Sequence, residues 1–219
     1  MPPSAPGRPA AGGASDAVRH ETLRIGGARI ATEHSSEVFN PYSRALIGTV
    51  ARASVADVRR AIALARAFRP RLTRYERYRI CYRTAEILRA RTEAFANLIT
   101  AESGLCKKDS LYEVGRACDV FLFAGNAALQ DDGQIFSCDL TAHGKRRKVY
   151  TLREPLLGVI GAITPFNHPL NQVAHKVAPS IASNNRMVLK PSEKTPLSAL
   201  ELADILYEAG LPPEMFSVL

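Results

Sequence analysis

A chain of 219 residues with 46% hydrophobic content is long enough for one large domain or two small ones around a packed core. Its formal net charge of +8 comes with no nucleic-acid motif, so the arginines between Arg52 and Arg91 read as polar helix faces and nucleic acid is excluded as a partner. No stretch approaches a membrane span and the opening MPPSAPGRPAAGGAS has no apolar signal core, which points to a cytoplasmic protein without a membrane partner.

Residues 1–20, rich in proline, alanine, glycine and serine, are predicted to be a disordered tail. Leu23–Ile30, centred on Gly26 and Gly27, reads as a hairpin leading to an NPYS turn at Asn40–Ser43, with a further strand over Ala45–Val50. Ser54 caps a helix whose apolar positions Val58, Ile62, Ala65 and Phe68 repeat at helical spacing. Thr73 and Glu76 have the spacing of a capping box, and Tyr78, Cys81, Ala85 and Leu88 then line one face, which makes Cys81 a core residue. Helices follow over Thr92–Glu102, stopping at Gly104, and Ser110–Leu129, stopping at Asp131, Asp132 and Gly133; Lys107 and Lys108 fall in the loop between them. Alternation from Ile135 to Arg153 around His143 and Gly144 predicts a long hairpin.

The segment GVIGAITPFNHPLNQVAHKVAPSIASNNRMVLKPSE, Gly158–Glu193, has the order of a nucleotide-binding unit. Leu156–Ile163 is a buried strand, and Pro165, Asn167 and Pro169 break it. Leu170, Val173, Ala174, Val177, Ala178 and Ile181 mark a helix that ends at Asn184 and Asn185. Met187–Leu189 is a second strand, with Lys190 and Glu193 just beyond its carboxyl end, where open α/β sheets place ligands. A helix over Leu197–Ala209, a stop at Gly210, Pro212 and Pro213, and a strand from Met215 complete the chain.

The first turn lacks the GxGxxG pattern of ordinary dinucleotide sites. The strings TPFNHPLN and VLKPSEKTPLSA, at this spacing, resemble the aldehyde dehydrogenase superfamily, whose cofactor site dispenses with those glycines; the resemblance runs from about Tyr42 to Leu219. ESGLCKKDS, GRACDV, DDGQIFSCDL and SNNRMVLKPSEK resemble the phosphonoacetaldehyde dehydrogenase branch. The resemblance implies an α/β fold, the amino-terminal part of the aldehyde dehydrogenase fold. Residues 21–134 would form the helical part of the cofactor domain, 135–155 an oligomerisation hairpin, and 156–219 the first part of a Rossmann-like parallel sheet. It further implies NAD as cofactor, a small anionic aldehyde as substrate, and a homo-oligomer.

By that resemblance Asn167 donates its amide to the developing oxyanion, where one donor is worth about a hundredfold or more. Read on the local string alone, Asn167 is instead a turn residue that caps the next helix, and only the family resemblance reverses that reading. Ile163, Thr164, Pro165 and Phe166 would lie along the cofactor backbone and nicotinamide ribose. Lys190, Ser192 and Glu193 would hold the adenosine ribose, and a carboxylate there repels a 2′-phosphate, favouring NAD over NADP. Alternatively Lys190 and Glu193 are a solvated surface pair. His168, where many relatives have an apolar residue, and Arg116, on the helix lining the family's substrate tunnel, would hold an anionic substrate group; the alternatives are a turn histidine and an exposed helix charge.

Cys106 lies between a leucine and two lysines that would favour its thiolate, but no orienting base accompanies it, so it is not read as a nucleophile. Cys118 and Cys138 read as structural, His175 as a helix-face histidine, and the cysteine spacing fits neither zinc nor a disulfide scaffold. The resemblance implies that the general base and nucleophilic cysteine belong beyond Leu219. The expectation is therefore a truncated, inactive portion with a short last strand and an uncovered apolar sheet edge, or a noncatalytic domain that binds nucleotide or subunits.

Overall fold

Reciprocal side-chain caps fix where the first two helices begin. In the computed structural model, which describes residues 18–130 and 132–219, Thr73 N donates to Glu76 Oε2 at 2.7 Å and Glu76 N returns a bond to Thr73 Oγ1 at 3.2 Å. Ser54 and Asp57 make the same box with the shorter acid, which the Glu/Gln pattern does not flag. Most of the predicted tail lies outside the described residues, but Arg19 and His20 do not belong to it. They start β1 (Arg19–Glu21), a strand paired with β5 below.

After β1 come β2 (Leu23–Ile25) and β3 (Ala28–Ile30), which form the expected glycine hairpin, then β4 (Ser35–Phe39) and β5 (Leu46–Ala51). Between the last two, Asn40 Oδ1 accepts the N–H groups of Tyr42 and Ser43, which closes the NPYS turn. α1 (Val55–Ala67), α2 (Arg74–Ala90) and α3 (Thr92–Ser103) follow. Gly104 ends α3 at φ 76°, and a Cβ there would lie 2.8 Å from Pro41 Cγ.

α4 (Lys107–Leu129) starts three residues earlier than its apolar pattern indicates. Lys107 and Lys108 are therefore in its first turn and not in a loop, with Lys107 Nζ bonded to Asn97 Oδ1 at 2.5 Å and Glu93 Oε2 at 2.8 Å on α3. α2 packs along α4. Gly125 permits that approach, since a Cβ on it would stand 3.1 Å from Cys81 Cβ, and Cys81 is fully buried as expected.

The hairpin is shorter than the alternation implies: β6 (Ile135–Ser137) and β7 (Lys148–Tyr150) pair over three residues each, and all six are exposed. β8 (Ile160–Ile163) also starts late. The preceding carbonyls of Leu156 and Gly158 each accept from Arg186 Nη2 at 2.7 Å, and Leu156 N donates to Asn185 Oδ1 at 2.7 Å, so that stretch is held by side chains and not by a strand. α5 (Asn171–Ala182), β9 (Met187–Lys190), α6 (Leu197–Glu208) and β10 (Phe216–Val218) complete the order.

The five-stranded sheet runs β3-β2-β10-β9-β8. β8, β9 and β10 are parallel, as the βαβ reading requires, but the amino-terminal hairpin adds two antiparallel strands, so the sheet is mixed. The short last strand is consequently interior, and the edge strands of this sheet among the described residues are β3 and β8. Alternation along β9 divides the core: Met187 and Leu189 join the helical layer with Phe121, Val173 and Leu202, while Val188 meets Leu23, Ile25 and Ala61 under α1. Arg24, 1% exposed, fixes the hairpin to α6 through a two-pronged pair with Asp204 at 2.8 and 2.9 Å and a third bond to Glu21 at 2.8 Å. No helix among the described residues is long and apolar enough to cross a membrane.

Candidate functional site

The parallel pairing of β8 and β9 sets Gly161 beside Val188 and Ile163 beside Lys190. These four residues line a cleft of about 1140 Å³ on the α1 side of the sheet. Val58 and Ile62, apolar helix positions that remain exposed, form its opposite wall. A Cβ on Gly158 or Gly161 would meet nothing within 4 Å, so the floor is open backbone that a flat ligand can approach closely.

At the carboxyl ends of the strands the rim is charged. Lys190 Nζ lies 3.3 Å from Glu193 Oε2, and both side chains are largely exposed. A hydrogen bond from its own backbone N–H, reinforced by Lys190, holds the Glu193 carboxyl below the usual carboxylate range. Ser192 Oγ accepts from Lys194 N at 3.2 Å. Arg52 and Arg66 line the same cleft; their helix and strand-end positions carry no motif, and sequence reasoning assigned them only to polar surfaces. Lys194 Nζ stands 4.5 Å over the Phe166 ring, which joins the loops after β8 and β9.

The turn after β8 is anchored from the helical layer. Thr164 is buried and its N–H donates to Lys190 O at 3.3 Å; Pro165, Phe166 and Asn167 are exposed. The first N–H groups of α5 do not use Asn167. Leu170 N and Asn171 N donate to Glu113 Oε1 on α4 at 2.8 and 2.9 Å, so the capping alternative for Asn167 is replaced by a carboxylate from another helix. Glu113 Oε2 also contacts His168 Nδ1 at 3.3 Å. Glu113 is 1% exposed and was missed by motif reasoning; the available signal was an acid adjoining the apolar stripe Val114, Ala117, Cys118 and Phe121.

Of the residues expected to hold a cofactor, the structure brings Ile163, Lys190, Ser192 and Glu193 into one cleft. Thr164, Pro165 and Phe166 do not line it, because Thr164 points into the protein and the other two belong to the turn beyond the strand. Asn167 and His168 sit together on that turn. Arg116 is exposed on α4, one turn after Glu113, with its guanidinium 5.9 Å from the Tyr112 ring centre and not in contact with His168. His175 is exposed on α5. Cys81 and Cys118 are buried, Cys138 is half-buried, and Cys106 is exposed at the start of α4.

Residues 30–219 match the model of the family described as Aldehyde dehydrogenase family. The chain is 35% identical over 203 residues to a 3-sulfolactaldehyde dehydrogenase of Priestia aryabhattai, covering 92% of this chain and 42% of that protein. It is 38% identical over 185 residues to aspartate-semialdehyde dehydrogenase 1 of Pseudomonas canavaninivorans, covering 83% and 39%. Among solved structures it resembles aldehyde dehydrogenase 21 from Physcomitrella patens in complex with the reaction product succinate, with a TM-score of 0.86, 32% identity, and coverage of 93% and 43%. The chain thus spans about two fifths of the length of the proteins it matches.

Proposed function

The chain belongs to the aldehyde dehydrogenase family, and on that premise we propose that it forms the cofactor cleft and oxyanion turn of an NAD-dependent enzyme that oxidises a small anionic aldehyde to the acid. The observation that carries this reading is the convergence of Ile163, Lys190, Ser192 and Glu193 on one cleft beside an open glycine floor. That floor and the ribose-sized polar rim fit a dinucleotide; bound there, NAD supplies the hydride acceptor. Lys190 and Glu193 hold the adenosine ribose hydroxyls, and the ionised Glu193 disfavours a 2′-phosphate. Asn167, not engaged in capping, donates its side-chain amide to the carbonyl oxygen as charge develops on it.

Among anionic aldehydes we assign phosphonoacetaldehyde, with His168 and Arg116 facing the phosphonate. Relatives named for 3-sulfolactaldehyde and aspartate semialdehyde support the anionic class. The exposed apolar residues Ile135, Phe136, Val149 and Tyr150 support a subunit contact at the β6–β7 hairpin, in the enzyme or in a noncatalytic remnant. Calorimetric titration of the chain with NAD and NADP tests the cofactor reading. NAD is expected to bind at least about tenfold more tightly. Equal affinity removes the role of Glu193, and binding of neither leaves the noncatalytic reading.

A further inference from the structure

We infer that Glu113 is the positioning residue of the Asn167–His168 turn and sets which ring nitrogen of His168 faces the substrate. This inference rests on the reading of that turn as the substrate side of the site. It starts from a cost: a carboxylate 1% exposed is unfavourable unless its oxygens are fully engaged. They are engaged entirely by one segment. Oε1 takes the N–H groups of Leu170 and Asn171 at 2.8 and 2.9 Å, and Oε2 faces His168 Nδ1 at 3.3 Å.

Three contacts from a single buried side chain, 55 to 58 positions earlier in the chain, converge within four residues of Asn167. They act in two ways. The bonds to Leu170 and Asn171 fix the origin of α5, and with it the short proline-bounded bend from which Asn167 projects. In this arrangement Oε2 is the acceptor of the His168 contact, as Oε1 is of its two N–H donors. Nδ1 must therefore carry the hydrogen, and Nε2, with no partner among the described residues, is the nitrogen left for substrate. In the imidazolium form Nε2 donates to an anionic oxygen. Glu113 itself touches neither substrate nor cofactor; it acts through the residues it holds.

The test is nitrogen NMR of the isotopically labelled chain under conditions where the imidazole is neutral, with His168 assigned by the loss of its signals in His168→Gln. The unaltered chain is expected to show His168 with the proton on Nδ1 and one sharp pair of Asn167 side-chain amide signals. In Glu113→Gln the amide nitrogen donates to the ring, so the proton is expected on Nε2, with the Asn167 pair broadened or split. A helix cap without this role would change amide exchange at Leu170 and Asn171 but leave the tautomer alone. His168 protonated on Nε2 in the unaltered chain overturns the inference, whether or not the variant folds, as does an unchanged tautomer in Glu113→Gln. Titration with phosphonoacetate separates the two readings. No response of His168 to it, with the proton on Nδ1, counts against the anionic substrate and supports the positioning role on its own.

Discussion

Glu102 on α3 accepts the backbone N–H of Ser198 at 3.0 Å across 96 positions of the chain, and its other oxygen takes Leu197 N at 2.8 Å. With the Ser198 hydroxyl also donating, the start of α6 is held by a buried carboxylate from the helical layer, as α5 is by Glu113. Burial raises the Glu102 carboxyl to about 7 from its ordinary 4.5, against the opposing pull of those three donors. The folded protein thus binds a proton that the unfolded chain has released. The stabilisation is complete below about pH 4.5 and is lost as pH rises through about 7, on the order of 3 kcal/mol. Urea midpoints measured across this range should fall with pH and flatten in Glu102→Gln. A constant offset between the two proteins would refute the assignment.

Glu193→Gln should narrow the preference for NAD over NADP by about tenfold, a change of about 1.4 kcal/mol in relative binding. The side chain is exposed, so the urea midpoint should not move. Fluorescence titration with both nucleotides measures the ratio, and an unaltered ratio means the carboxylate does not face the ribose.

Arg116→Ala should weaken binding of phosphonoacetate by about tenfold, as expected for loss of one forked cation contact. Calorimetry on the chain reads this directly. Unchanged affinity would return Arg116 to the role its contact with Tyr112 already describes, an exposed helix charge against a ring.

Two glycines should respond to alanine with opposite signs. Gly104 has φ 76° and faces Pro41, so Gly104→Ala should destabilise by about 1–3 kcal/mol. Gly115, exposed within α4 with nothing near its missing Cβ, should gain about 0.5–1 kcal/mol. Chemical denaturation of both variants checks the pair.

Thiol labelling at neutral pH should reach Cys106 first and Cys138 next. Burial pushes the Cys81 thiol up to about 12 and raises that of Cys118, so both should react only when the chain unfolds. Mass spectrometry of labelled peptides gives the order, and early modification of Cys81 would contradict the α2–α4 packing.

Elements that depend on local chemistry were legible in the sequence. The Thr73 capping box, the Gly104 stop, the NPYS turn and the apolar stripe of α5 each need only neighbouring residues, and each stands where its pattern places it. What eluded the sequence is long-range. β1 and β4 are short and carry little buried surface of their own, and they exist because β5 offers them hydrogen-bonding edges. The convergence of Lys190 and Glu193 with Ile163 was readable because a parallel βαβ unit dictates it. Glu113 and Glu102 were not, since a buried acid on an apolar helix face looks like a flaw until the helix end it satisfies is known.

Arg186 is 2% exposed, and its guanidinium is shared among the carbonyls of Phe68, Leu156 and Gly158 with no acid among the described residues to neutralise it. One cation therefore rivets together the end of α1, the exit from the hairpin and the approach to β8. Lysine, with a single ammonium, would not span all three anchor points in the same plane. The lower wall of the cleft inherits its shape from a side chain that never reaches its surface, so drift at position 186 would deform nucleotide recognition without altering any residue that touches the nucleotide.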